Sequence, residues 1–141
     1  MGEIFRHRLR VRYHECDPQA IVFNAHYLAY FDLAVTELWR ETMGGLRAMF
    51  ERGLDFVVAE VRIRYRSPLR FDDEFDVCLS IAELRTTAMR TEATVERDGL
   101  TAADGELRHV LIDPGTGEKT PIPDDVREVL GRYTASQSRG L

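Results

Sequence analysis

One stretch of this chain carries a long helical periodicity, and the segments around it alternate with period two. Tyr27, Leu28, Phe31, Ala34, Val35, Leu38, Trp39 and Met43 recur at steps of three and four, one wide apolar stripe. Asn24 stands where an N-cap belongs, and Gly44-Gly45 stands where a helix leaves through a left-handed conformation. The spacing predicts a helix over residues 25–43. Before it, Phe5, His7, Leu9, Val11 and Tyr13 oppose Arg6, Arg8, Arg10 and Arg12, a half-buried strand over residues 5–13. After it, Val57, Ala59, Val61, Ile63 and Tyr65 oppose Glu60, Arg62, Arg64 and Arg66 until Ser67-Pro68 interrupts the ladder. Phe75, Val77, Leu79 and Ile81 make a third strand, and Met89, Thr91, Ala93 and Val95 a fourth. Asp98-Gly99 is a hairpin signal leading into a fifth strand that ends near Ile112. Asp124-Asp125 open a short helix through about Tyr133.

Strands linked by short turns pair antiparallel, and a single long amphipathic helix must bury its stripe against them. The expected class is therefore α+β, an antiparallel sheet of about five strands with one long helix. The stripe holds Trp39, Phe31 and tyrosines, more than a small flat sheet covers. The sheet is expected to curl around the helix, and a second subunit to help bury it. At 141 residues, 44% apolar and 30% charged, the chain reads as one domain over residues 1–133 with a flexible tail at 134–141. A net charge of −5 argues against broad nucleic-acid binding, and no apolar run is long enough for membrane insertion. Two cysteines, Cys16 and Cys78, read as free thiols, and with no apolar leader the expected location is cytoplasmic.

Motifs for phosphate loops, Cys-x-x-Cys, His-Glu-x-x-His and Gly-x-Ser-x-Gly are absent, and His7, His14, His26 and His109 lack metal-ligand spacing, so no metal is expected. The segment from Tyr13 to Tyr27 stands out. It runs from a strand end through a loop bearing Asp17-Pro18 to a helix start. Unpaired N–H groups at a helix start can stabilise the oxyanion formed when a carbonyl is attacked. A carboxylate beside them can attack that carbonyl or activate water. An ordinary Asp-Pro turn would leave the same trace, so spacing alone leaves both readings open.

The same segment resembles the signature of the 4-hydroxybenzoyl-CoA thioesterase family of hotdog-fold acyl-CoA thioesterases. Tyr13, Asp17-Pro18, Ile21-Val22-Phe23 and Tyr27 carry the resemblance. It continues through Glu37, residues 61–68, Phe71-Asp72-Asp73-Glu74 and Ile122-Pro123, covering roughly residues 5–130. It implies a sheet wrapped around the long helix, assembly as a homodimer or homotetramer, and an active site at the dimer interface. It implies Asp17 as nucleophile or general base, with backbone N–H groups from Phe23 to Ala25 polarising the thioester carbonyl. Tyr13, Phe23, Asn24, Ala25 and His26 would line the oxyanion and acyl pocket. The chain departs from the family at Ala20, where many relatives have glycine, and at Asn24, where they often have histidine or an aromatic residue. Cys16 is expected to be a small buried residue, Glu15 to be solvated, and Glu37 to make a structural hydrogen bond.

The expected substrate is an acyl-CoA, or an acyl-carrier-protein thioester. No cofactor is implied, since coenzyme A would be part of the substrate. Its phosphates call for basic residues, and Arg62, Arg64, Arg66, Arg70, Arg85 and Arg90 are the candidates. The competing class is a non-catalytic protein of the same fold that binds acyl-CoA.

Overall fold

The computed structural model describes residues 2–135; the remainder of the expected C-terminal tail, 136–141, lies outside the described residues. Strand β1 is Phe5–Arg10, followed by a 3-10 turn at Tyr13–Glu15, helix α1 at His26–Met43 and helix α2 at Leu46–Glu51. Four strands follow, β2 (Asp55–Tyr65), β3 (Glu74–Leu84), β4 (Ala88–Arg97) and β5 (Leu100–Ile112), and then helix α3 (Asp124–Gly131). The five strands pair antiparallel in the order β1-β3-β4-β5-β2, and Thr134 adds an isolated parallel bridge to Ile81 of β3. The expected α+β sheet of five strands is present.

Period two puts Phe75, Val77, Leu79 and Ile81 of β3 on the inner face with Met89, Thr91, Ala93 and Val95 of β4. Helix α1 lies on that face with Phe31, Ala34 and Leu38 fully buried. Phe31 and Leu38 each contribute ~1.5–3 kcal/mol through removal of apolar area from water, and Ala34 less. Trp39 stacks on Phe56 of β2 at 4.9 Å, and Tyr30 packs on Phe75 at 4.7 Å. The stripe is therefore covered by its own chain: Tyr27, Tyr30 and Trp39 are each 3% exposed or less. The expectation that a second subunit helps to bury the stripe thus finds little of it left to cover. Leu28, assigned to the stripe, turns outward at 40% exposure, while Tyr30 takes its place inside.

Two boundaries differ from the sequence pattern. The first strand ends at Arg10, because buried Val11 leaves the sheet to exchange hydrogen bonds with the Asp72-Asp73 turn, and the chain then tightens into the 3-10 turn. Asn24 does not cap α1. Ala25 holds that position in a helical conformation, and a turn closed by His26 N–H on the Phe23 carbonyl (2.9 Å) leads into the helix. A side-chain cap needs an extended residue there, which this turn excludes.

At the hairpin between β4 and β5, Asp98 and Gly99 both have positive φ (51° and 79°), as a type I′ turn requires. Gly105 of β5 sits so close to β2 that a Cβ would strike the Arg62 carbonyl oxygen. Past Tyr133 the chain still follows β3, with Ala135 N–H donating to the Ile81 carbonyl at 2.8 Å. Among the described residues strand β2 pairs only with β5, which leaves the outer edge of this 11-residue strand without a partner strand. Among the described residues no helix is long and apolar enough to cross a membrane.

Candidate active site

The Asp17 loop is a small closed structure. An antiparallel bridge between Cys16 and Val22 forms its neck. Inside it, Asp17 N–H donates to the Ile21 carbonyl and Ala20 N–H to the Asp17 carbonyl, both at 2.8 Å. Ala20 has φ of 65°, the left-handed conformation in which glycine costs least. The expectation drawn from the family's glycine thus meets a backbone that would suit it. Asp17 Oδ1 accepts the Gln19 N–H at 2.8 Å, so the turn chemistry expected of Asp-Pro is present. It uses one carboxylate oxygen only; Oδ2 accepts no hydrogen bond among the described residues.

That carboxylate borders a cleft of about 440 Å³ between the loop, the start of α1 and the end of β2. Ile21, Val22, Tyr27 and Pro68 give it apolar walls, and Asn24, Tyr65 and Arg66 give it polar ones. Tyr65 donates from its hydroxyl to the Asn24 carbonyl at 3.1 Å and meets the Tyr27 ring edge-on at 5.2 Å. Burial raises the Tyr27 pKa above its ordinary value. A larger cleft, about 540 Å³, lies along Arg6, Arg8, Arg10, Asp72 and Glu74. Its charges are already paired with one another, so it offers little to a ligand.

Of the three N–H groups expected to polarise a carbonyl, the Phe23 N–H is engaged by the Glu15 carbonyl at 2.9 Å. Asn24 and Ala25 donate to no acceptor among the described residues, which narrows the donors to two. Asp17 and Asn24 share the cleft, whereas Tyr13 does not reach it. Tyr13 is 79% exposed and packs edge-on against Phe71. His26 is half-buried beside the Phe23 ring, and neither of these residues nor Ala25 lines the cleft, which corrects their assignment to the pocket. Glu15 corrects another expectation, because it is tied to Tyr30 and to the Arg12 N–H instead of being solvated. Cys16 is half-buried, not buried, and Glu37 pairs with Arg40 at 3.1 Å along the helix.

Five of the six candidate arginines already have carboxylates of their own chain. Arg62 meets Glu106 at 3.5 Å, Arg64 and Arg66 both hold Asp104, Arg85 meets Glu83 at 3.1 Å, and Arg90 meets Glu106 at 2.9 Å. The Arg70 guanidinium has no carboxylate partner among the described residues, although its backbone N–H donates to Asp73 Oδ2 at 2.8 Å. Arg66 is the one of the six that also lines the Asp17 cleft. Sequence reasoning missed Tyr30 and Tyr65 as site residues. For Tyr30 the available signal was chemical, since a tyrosine on a buried face needs a partner for its hydroxyl; Tyr65, 53% exposed, left no such signal.

The family model of the thioesterase-like superfamily matches residues 11–130 of this chain. The crystal structure of a hypothetical protein from Aquifex aeolicus is 31% identical, covers 89% of this chain and 98% of its own, and superposes with a TM-score of 0.84. The acyl-CoA thioester hydrolase YbgC of Escherichia coli O6:H1 is 27% identical over 87% of this chain and 92% of its own length. The long-chain acyl-CoA thioesterase FadM of Escherichia coli K12 is 26% identical, over 87% and 94% respectively.

Proposed function

Because this chain belongs to the thioesterase-like superfamily, we propose that its cleft hydrolyses an acyl-CoA, with Asp17 as nucleophile or general base. The chain is a thioester hydrolase, and acyl-CoA thioesterase activity is the reading that its relatives support. One observation carries the assignment of roles: Asp17 and Asn24 line one cleft at the start of α1, and among the described residues Asp17 Oδ2 and the Asn24 N–H are unengaged, as is the N–H of Ala25, the next residue. The thioester carbonyl oxygen would accept from those N–H groups, which then stabilise the oxyanion as charge develops. The partial positive charge of an 18-residue helix adds to that field.

Two routes follow. As general base, Asp17 takes a proton from water while the water oxygen bonds to the carbonyl carbon; the tetrahedral intermediate then expels the thiolate, which is protonated. As nucleophile, Asp17 displaces the thiolate to form a mixed anhydride, which water opens to free acid and Asp17. Asp17→Asn tests both, since asparagine keeps the turn but neither attacks nor accepts the proton. A fall in kcat of at least about 100-fold is expected, with the fold retained by circular dichroism; near-normal turnover would return Asp17 to a turn residue. In a single turnover in ¹⁸O water, label in the Asp17 carboxylate requires the anhydride. Label confined to the product acid places the water attack on the acyl carbon, as direct activation requires and as an anhydride opened at that carbon also gives.

The hotdog arrangement, with the sheet wrapped around α1, is supported by the helix stripe buried on the inner face. Pairing of two copies along the bare β2 edge would bring a second chain to Tyr65 and Arg66, which line the cleft. A stable 16.2 kDa monomer by light scattering at micromolar concentration would exclude this assembly. An acyl-carrier protein as carrier of the thioester is favoured by one observation, the internal pairing of five of the six candidate arginines.

A further inference from the structure

Glu15 stands two residues before Asp17 and turns its side chain inward. Its Oε1 accepts the Tyr30 hydroxyl and the Arg12 N–H, each at 2.8 Å, and its carbonyl accepts the Phe23 N–H at 2.9 Å. One residue thus ties together the 3-10 turn, helix α1 and the segment that enters the helix. The Tyr30 hydroxyl is held in turn. Its ring is 2% exposed and wedged against Phe75 at 4.7 Å and Tyr27 at 5.8 Å. Burial, and then the bond to Glu15, raises its pKa, so it stays a donor. Among the described residues the Asp17 carboxylate is anchored only to Gln19 within its own turn, so the direction in which Oδ2 points depends on what fixes that turn as a unit.

We propose that Glu15 and Tyr30 are a positioning pair that fixes the Asp17 loop against α1, and that Glu15 acts as a hydrogen-bond acceptor and not as a charge. This rests on the role assigned to Asp17 above. Both bonds to the Glu15 side chain fall on one oxygen, which the amide oxygen of glutamine also supplies. Displacing a reacting group by about 1 Å costs up to ~100-fold in rate.

The test compares Tyr30→Phe, Glu15→Ala and Glu15→Gln with an acyl-CoA substrate, well below each variant's unfolding temperature. Tyr30→Phe and Glu15→Ala should lose about 10-fold or more in kcat with little change in KM, while Glu15→Gln keeps most of the wild-type kcat. A loss in Glu15→Gln equal to that in Glu15→Ala would mean that the charge takes part in the chemistry, and would overturn the proposal. Full turnover in Tyr30→Phe overturns it as well, and that variant keeps the ring even where Glu15→Ala fails to fold. In an Asp17→Asn background, Tyr30→Phe should cost nothing further, because the pair acts through Asp17. An additive loss there overturns the pair and leaves the Asp17 reading standing; full turnover in Asp17→Asn alone overturns that reading and the pair with it.

Discussion

On the outer face of the sheet, Arg8 meets Asp76 at 3.1 Å and Arg10 meets Glu74 at 2.7 Å, while Arg62 and Arg90 share Glu106. Around the cleft, Asp17 pairs with no cation among the described residues, and Glu15 is bonded to a tyrosine and a backbone amide. The two regions use the same residue types with opposite results. Where arginine and carboxylate face each other in solvent, neither is left with strong unmet demand, and the pair is worth little to stability. Where a carboxylate keeps an open oxygen beside open N–H donors, there is something for a substrate to meet. Even Arg66, which belongs to both regions, is held by Asp104 while it lines the cleft.

The contrast breaks most sharply with two Asp→Asn variants. Asp17→Asn should lower kcat by about 100-fold or more, and Asp76→Asn should leave kcat unchanged in the same assay. Equal effects would erase the distinction between the regions. The next largest effect lies in the interior. His109 is 2% exposed, lies edge-on to Trp39, and has an Nδ1 with no hydrogen-bond partner among the described residues. Burial lowers its pKa from 6.5 to about 4. The unfolded chain therefore takes up this proton first. Stability is full above pH 6.5, falls as pH drops toward 4, and flattens below it, with a total loss of about 3 kcal/mol. Urea unfolding between pH 7 and 4 should show this slope, and His109→Leu should remove it. If the slope persists in that variant, the charged surface is responsible after all.

A smaller effect separates the arginines. Arg66→Ala should raise KM for an acyl-CoA by about 3- to 10-fold and Arg62→Ala by less, because only Arg66 borders the cleft. Short pantetheine thioesters should be spared in both. Equal losses on both substrates would make these arginines structural. Smallest of all, Ala20→Gly should stabilise the loop by about 1 kcal/mol or less, since glycine adopts a φ of 65° without a Cβ clash. A lower melting temperature in that variant would show that the methyl group packs usefully.

Period-two and helical spacing in the sequence were enough to place β2 to β5 and α1, because those patterns report which face each residue presents. The Asp17 segment was legible because it is contiguous. Its partners were not. The bond from Tyr30 to Glu15 depends on how far the 3-10 turn tightens after Val11 leaves the sheet, and nothing in the alternation through Tyr13 signals that departure. Arg64 finds Asp104 from 40 residues away only through the register of β2 on β5, which includes a bulge between Val58 and Glu60. Asn24 carries a good capping side chain, yet the turn ahead of it moves the helix start by one residue and leaves its side chain without that role.

The strand order also bears on how the site comes into being during folding. Strands β3, β4 and β5 are joined by short turns and can zip together locally, whereas β1 pairs with β3 across a gap such as that between Arg6 and Cys78. Closing so long a loop is entropically slow, and it is rewarded only once the meander offers an edge. The Asp17 loop hangs from β1, and the Val22 N–H is protected by the Leu69 carbonyl from the far side of that same gap. Pulse-labelled hydrogen exchange should find amides of β4 protected before that of Val22. On that order the Asp17 loop closes after the meander has formed, and intermediates that already contain β3, β4 and β5 lack the proposed site.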